Sequence, residues 1–275
     1  MWTELVRLAL AEDGDAGDVT SEAVIPAGAS GAAHLVARDA LVVSGLVPAA
    51  EVFALVDRSV RFEPLVADGD RVEVGAPLAS VEGNLRALLR AERPALNFLQ
   101  RLSGVASWTA RHVEVAGGRC RVADTRKTTP GWRALEKAAV RHGGGVNHRF
   151  HLGDGVLIKD NHLEAAGGVI EAVAAARARA HHLLKVEVEV DTLEQLEEAL
   201  ASGADAVLLD NMSPSMCAEA VRRVAGRLFV EASGGIDLST LSDYAATGVD
   251  QVALGSLTHG AVGVDIGMDM RGGRP

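Results

Sequence analysis

A chain of 275 residues, 48% hydrophobic and 23% charged, is too long for a minimal domain and too apolar for wholesale disorder, which leaves one large barrel or two modest domains. Its 27 Lys and Arg against 37 Asp and Glu give a net charge of −10, opposite to that of a general nucleic-acid or anionic-membrane binder, so an anionic ligand must meet a local cationic cluster. Two distant cysteines, Cys120 and Cys217, exclude a disulfide framework or thiolate metal site; with no signal peptide and no 18-residue apolar run, a soluble cytoplasmic protein with no membrane or nucleic-acid partner is expected.

In chain order, a helix is expected from Thr3 to Glu12, followed by an acidic turn from Asp13 to Asp18. Extended segments follow at Ala32–Ala37, Val60–Leu65 and Leu78–Glu82. The stretch from Asp68 to Leu78 resembles the turns of a biotinyl or lipoyl carrier domain. No lysine occurs in residues 1–126, however, so that stretch reads as structural. A long helical region, broken at its proline, runs from Leu85 to about Val115 and joins an N-terminal α/β domain (1–105) to a C-terminal domain (106–275).

The second half carries a period. Apolar runs begin at Lys185, Ala206, Leu228 and Gln251, 21, 22 and 23 residues apart, with helical signals between them. Thr192 with Gln195 reads as a capping box before a helix closed by Gly203. Ser213-Pro214 opens a second helix that ends near Gly226, and Asp237 opens a third that ends near Gly248. Stacked strand–helix units of this length predict a parallel sheet or (β/α) barrel. Earlier runs at Arg121–Thr125 and Val156–Lys159 bring the count to six strands, an incomplete barrel.

The strand ends are polar: Asp124 to Lys127, Lys159-Asp160-Asn161, Glu189, Asp210-Asn211, Ser233-Gly234-Gly235 and Gly255-Ser256. In such folds this edge carries the active site. From Asp124 to Asp160 there are seven Lys or Arg against four acids. Arg133, Lys137 and Arg141 repeat every four residues and are expected on a solvent-facing helix surface. Arg126, Lys127, Arg149 and Lys159 lie at strand ends or beside glycines, where they can converge on a multiply anionic small molecule. Lys159 also suits a Schiff-base lysine, although its cationic neighbours favour anion binding. The glycine turns Ser233–Gly235 and Gly255-Ser256 suit phosphate. Glu189 and Asp210 suit Mg²⁺, directly or through water, or sugar hydroxyls, and Glu187 shares the face of Glu189 by period two. Among His142, His148, His151, His162 and His259, no pair has the helical spacing of a catalytic zinc site.

The segments Asp124–Gly131, Lys137–Val140, Gly143–Arg149 and Leu157–His162 closely resemble quinolinate phosphoribosyltransferases. So do Gly17–Thr20, Glu92-Arg93, Leu96-Asn97, Leu102–Gly104, Glu187–Val190, Leu208–Asn211 and Glu231–Gly235, so the resemblance spans nearly the whole chain. It implies an N-terminal α/β sandwich domain and an incomplete α/β barrel, assembled as a homodimer or a higher homo-oligomer. Apart from the resemblance, the tail 265–275 is expected to pack back on the first domain. It also implies the joining of quinolinate to phosphoribosyl pyrophosphate, with Mg²⁺, to give nicotinate mononucleotide, CO₂ and pyrophosphate. Carried over by motif, Thr125, Arg126, Lys127, His148, Arg149 and Lys159 form the cradle for quinolinate and phosphate, and Arg93 reaches the neighbouring subunit's site. Glu189 and Asp210 bind ribose hydroxyls or Mg²⁺, while Ser233, Gly234, Gly235, Leu254, Gly255 and Ser256 hold the 5′-phosphate. The catalytic set is then Lys127, Lys159, Glu189 and Asp210. The segment Phe150–Gly155 departs from the family pattern, which puts the pocket wall there in question. Related readings are a molybdenum-transport-linked homologue, a nicotinate phosphoribosyltransferase and a non-catalytic metabolite-binding paralogue; the intact cationic motifs favour the decarboxylating enzyme.

Overall fold

The computed structural model describes residues 2–14 and 17–271. Asp15 and Ala16 of the expected acidic turn, and the last four residues of the tail, lie outside the described residues. In chain order the elements are α1 (Thr3–Gly14), α2 (Val19–Val24), β1 (Ser30–Ala37), β2 (Leu41–Val42), α3 (Leu46–Val56), β3 (Arg61–Pro64), β4 (Arg71–Val72), β5 (Pro77–Asn84) and α4 (Leu85–Ala116). There follow β6 (Arg121–Ala123), α5 (Arg133–His142), β7 (Val156–Ile158), α6 (Asp160–Ala166), α7 (Val169–Arg179), β8 (Val186–Val190), α8 (Leu193–Ser202) and β9 (Ala206–Asp210). Last come α9 (Pro214–Val224), β10 (Phe229–Ser233), α10 (Leu241–Ala245), β11 (Gln251–Ala253), α11 (Ser256–His259) and β12 (Ile266–Met270).

The chain forms two compact units. The first is built from the described residues of Met1–Ala110, Thr128–Gly144 and Thr258–Pro275. Its sheet has the order β12-β1-β5-β3 and is antiparallel throughout, and β2 and β4 form a separate two-stranded ribbon. The tail strand β12 thus pairs with β1, Ala33 opposite Met270.

Helix α4 runs unbroken for 32 residues through Pro94, contrary to the expected break. An interior proline costs about 3 kcal/mol. Against that cost, Leu88, Leu96, Phe98, Leu99 and Leu102 are all fully buried, and each contributes about 1.5–3 kcal/mol. The helix approaches the chain near Val262 so closely that a Cβ on Gly104 would stand 2.2 Å from the Val262 carbonyl oxygen. The four-residue repeat on α5 is likewise no guide to solvent: Arg141 is exposed, but Lys137 is fully buried. Such spacing puts residues on one face; whether water meets that face depends on what packs there. Beside Lys137, the buried carboxylate of Glu136 is held by Arg101 at 2.8 Å and by the Thr129 hydroxyl and amide.

The second unit, Arg111–Lys127 with Gly145–Leu257, is a six-stranded parallel sheet of order β6-β11-β10-β9-β8-β7 with helices between the strands. Its cap signals act locally as the sequence predicts: Thr192 and Gln195 form a capping box, Gly203 ends α8 in the left-handed region, and Ser213 caps α9 ahead of Pro214. Asp237 differs. Its carboxylate accepts from the amides of Ser239 and Thr240 in a turn, and α10 begins four residues later. Valines 186, 188 and 190 of β8 are fully buried, and Glu187 and Glu189 alternate with them on the opposite, interior face.

The sheet is an incomplete barrel. β6 pairs with β11, the last strand of the series, and among the described residues no ladder joins β6 to β7. In that gap Val146 makes a single parallel bridge to Ala123, and the Arg149 guanidinium donates to the Gly155 carbonyl (2.9 Å) just ahead of β7. The segment carrying Asn147, His148 and Arg149 therefore stands where a further stave would be. No helix among the described residues is long and apolar enough to cross a membrane.

Candidate active site

The C-terminal ends of the parallel strands surround a cavity of about 470 Å³. Each strand ends where glycine or a polar residue replaces the apolar run, so backbone direction alone aims those side chains at one space. Thr125, Arg126 and Lys127 reach it from beyond β6, and Lys159 from beyond β7. Glu189 comes from β8, Asp210 and Asn211 from β9, Glu231 and Ser233 to Gly235 from β10, and His148 and Arg149 from the gap segment. Four cations and three carboxyl groups thus share one cavity whose remaining wall includes Leu157, Leu208 and Ala253.

Asp124 organises the gap side. It is fully buried at the end of β6, and its two carboxylate oxygens accept from Asn147 Nδ2 at 2.6 Å and from the His148 amide at 2.9 Å. That fixes the start of the segment from which His148 and Arg149 enter. The Arg149 amide donates to His148 Nδ1 at 2.8 Å, so in the neutral ring the hydrogen sits on Nε2. Burial, then Arg126, lowers the Arg149 pKa, as expected of cations gathered for an anion. Phe150 to Gly155 closes as a turn in which Asp154 accepts from the amides of Phe150 and His151; none of these six residues lines this cavity.

On the acidic side Lys159 is paired with Glu189, and Asp210 accepts from Asn211 Nδ2 at 2.6 Å. Burial raises the pKa of both Glu189 and Asp210; Asp191 adds to the effect at Asp210, and Asp160 adds to it at both. The turn after β10 requires glycine. Gly234 has φ +89°, and a Cβ there would stand 2.3 Å from Asn211 Oδ1. Asn211 itself adopts φ 53°, and its amide donates to the Ser233 carbonyl at 2.9 Å.

Of the residues singled out in the sequence, Thr125, Arg126, Lys127, His148, Arg149, Lys159, Glu189, Asp210 and Ser233 to Gly235 line the cavity together. Leu254, Gly255 and Ser256 do not; the Leu254 amide donates to the Ala123 carbonyl at 2.9 Å. Arg93 is an exposed residue of α4 in the first unit and does not line this cavity either.

Glu231 and Asn211 are lining residues that sequence reasoning left without a role. Glu231 was detectable, because it precedes Ser233 by two on one strand and must share its face. His148 Nε2 lies 3.4 Å from Glu187 and 3.5 Å from Glu231, a nitrogen and two carboxylates within metal-binding reach of one another. The hydrogen bond that Nδ1 accepts from the Arg149 amide argues against a metal there, since Nε2 then carries a hydrogen rather than a lone pair.

A twisted parallel sheet with cations, carboxylates and a glycine turn gathered at its C-terminal edge is the arrangement of a barrel enzyme acting on anionic, phosphorylated substrates. Sequence comparison agrees. Residues 18–103 match the N-terminal domain and residues 105–269 the C-terminal domain of quinolinate phosphoribosyl transferase. The chain belongs to the quinolinate phosphoribosyltransferase family. It is 43% identical over 260 residues to a probable carboxylating nicotinate-nucleotide pyrophosphorylase of Bacillus subtilis, covering 94% of this chain and 90% of that one. It is 44% identical over 276 residues to the carboxylating nicotinate-nucleotide pyrophosphorylase of Mycobacterium leprae, covering 97% and 96%. The crystal structure of NadC from Streptococcus pyogenes superposes with a TM-score of 0.94 at 44% identity, covering 98% of this chain and 95% of that one.

Proposed function

We propose that the protein transfers the phosphoribosyl group of phosphoribosyl pyrophosphate to quinolinate with decarboxylation, giving nicotinate mononucleotide, CO₂ and pyrophosphate in the synthesis of pyridine nucleotides. The observation that carries this reading is the convergence of Arg126, Lys127, Arg149 and Lys159 on one cavity opposite Glu189 and Asp210, in a chain of this family. Quinolinate is a dianion and its partner carries several phosphate charges, so four cations in a chain of net charge −10 match the substrates rather than the protein's surface.

In the derived mechanism Arg126, Arg149 and His148 orient quinolinate with its ring nitrogen toward the anomeric carbon. The nitrogen lone pair forms the new bond to that carbon as the bond to pyrophosphate breaks. Lys127 and Lys159 stand where negative charge grows on the leaving group. The resulting pyridinium ring draws in the electron pair released as the adjacent carboxylate leaves as CO₂, so no organic cofactor is needed. Ser233 to Gly235 cradle the 5′-phosphate, beside the turn from Leu254 to Ser256.

Glu189 and Asp210 fit a hard divalent cation. They are oxygen donors in a half-buried, acid-rich corner where burial and Asp160 both work against their ionised forms, and a cation there would relieve that cost. They would hold Mg²⁺ directly or through water, and Mg²⁺ when bound supplies charge to the departing pyrophosphate.

Arg93, exposed and not among the residues that line the cavity, suits a homodimer in which it completes the neighbouring site. Two free thiols, Cys217 buried and Cys120 half-buried, suit a reducing cytoplasm.

The test is a coupled assay with phosphoribosyl pyrophosphate, Mg²⁺ and either quinolinate or nicotinate, following CO₂ and pyrophosphate together. Equal release of both from quinolinate alone is the expected result. Pyrophosphate from nicotinate without CO₂, or binding with no turnover, would overturn the reading.

A further inference from the structure

The reaction above leaves one proton to be supplied. When CO₂ departs, the electron pair of the broken bond stays on ring carbon C2, and the product carries hydrogen there. We propose that Glu231 is the catalytic acid that delivers this proton from Oε1, and that a second cavity of the barrel returns a proton to it. The proposal rests on the decarboxylating reading of the same site.

Glu231 is 1% exposed in the middle of β10 and faces the barrel interior. Its Oε2 accepts from the side-chain amide of Gln251, which can only donate from that nitrogen. A proton on this carboxyl group therefore belongs on Oε1, the one buried oxygen that has no hydrogen-bond partner among the described residues. Beside it, His148 Nε2 already carries a hydrogen because Nδ1 accepts from the Arg149 amide, so the imidazole does not compete for the proton.

The groups facing Glu231 are Glu187 from β8, His148 from the gap segment, Lys159 from the end of β7 and Gln251 from β11. Burial first, then the Glu187 charge, pushes its pKa up to about 7 against the opposing pull of His148, Gln251 and Lys159, so near neutrality a large fraction holds the proton. Glu189, the other buried carboxylate of the cavity, is instead engaged by Lys159.

The return path is a separate cavity of about 490 Å³ at the opposite end of the sheet. It is lined by the residues that open the strands or precede them, such as Val156, Lys185, Asp205, Phe229 and Gln251. The two cavities share only His148, Arg149, Leu157 and Glu231 in their walls. Glu231 thus stands between a substrate-side space and a second space whose lining includes the exposed Lys185, itself paired with Asp205 at 3.0 Å. In the balanced step, the C2 carbanion takes the proton from Oε1, the O–H pair stays on the carboxylate, and water entering from the second cavity relays one proton from bulk solvent back to it, so each turnover consumes one solvent proton.

The experiment is rapid-quench single turnover of Glu231→Gln with quinolinate, phosphoribosyl pyrophosphate and Mg²⁺, following pyrophosphate and nicotinate mononucleotide separately. A positioned acid contributes roughly 10²–10⁴-fold. The expected result is pyrophosphate at the wild-type rate, nicotinate mononucleotide slowed by about 100-fold, and transient accumulation of the undecarboxylated mononucleotide. Glu231→Asp, which keeps an acid, should recover part of the loss. In the wild type, nicotinate mononucleotide formation should fall as pH rises through about 7, and the Gln variant should lack that fall.

Products formed in step at the wild-type rate in Glu231→Gln would overturn the proposal, as would equal slowing of both products, the mark of a structural role. If the Gln variant does not fold, a flat wild-type pH profile for the decarboxylation step overturns it just as directly. A wild type that releases no CO₂ from quinolinate would instead sink the functional reading itself.

Discussion

Asp124 offers the sharpest test of how the open barrel builds its site. In Asp124→Asn the side chain keeps one acceptor oxygen and gains an NH₂ group that must face either Asn147 Nδ2 or the His148 amide, both of which are donors. One hydrogen bond to a charged acceptor, worth about 1.5–3 kcal/mol, is lost, and a donor in a buried corner is left opposed, at about 1–3 kcal/mol. The total expected is about 3–5 kcal/mol, and for a chain of this size each kcal/mol lowers Tm by roughly 2–4 °C. The loss acts through the segment that delivers His148 and Arg149, so KM for quinolinate should rise along with the lowered Tm, while KM for phosphoribosyl pyrophosphate changes less. Thermal unfolding and steady-state kinetics on the same preparation measure both. A variant that melts within a degree of wild type with unchanged quinolinate KM would show that Asp124 does not hold this segment.

Lys127→Ala and Arg149→Ala should each lower kcat/KM by about 10- to 100-fold, the value of one charge-assisted contact, and folded variants with wild-type kcat/KM would dismiss the cationic cradle. Mixing Arg93→Ala with Arg149→Ala, each impaired alone, should raise kcat/KM above that of either variant if Arg93 serves the neighbouring subunit; no recovery after subunit exchange would refute that role. Glu231 also predicts a stability profile. Its folded pKa of about 7 lies above the ordinary 4.5, so its contribution is fully present below about pH 4.5 and is lost as pH rises through about 7. Glu231→Gln should therefore flatten the decline in Tm across that window, and parallel Tm curves for the two proteins would contradict the buried, raised carboxyl.

How much of this was legible beforehand depends on which interactions are local. The β8 to β11 runs and their spacing were readable, because alternating buried and interior-facing residues follow from strand geometry. The capping box of Thr192 and Gln195, and the turns at Gly203 and Ser213-Pro214, were readable because each is decided within a few residues. The lining set from Thr125 to Gly235 was readable because parallel strands present their C-terminal ends to a common edge. Pro94 and Lys137 misled, since a local rule was overruled by what packs against them: Pro94 sits among fully buried leucines, and Lys137 lies on a face that is covered. Short α2 and the helix α3 passed unnoticed for a different reason, having too little periodicity of their own.

By itself, then, the sequence determined the number and direction of the barrel strands, the caps between them, and the charge set at their ends, all properties fixed by backbone geometry and near neighbours. Tertiary structure alone decided that β6 lies beside β11, so that the barrel opens between β6 and β7 and the His148-Arg149 segment fills the gap. It alone brought Glu231, Glu187, His148 and Gln251 together from four separate stretches of chain. Strand order and burial are set by which surfaces exclude water together, and that is a property of the packed chain rather than of any one segment.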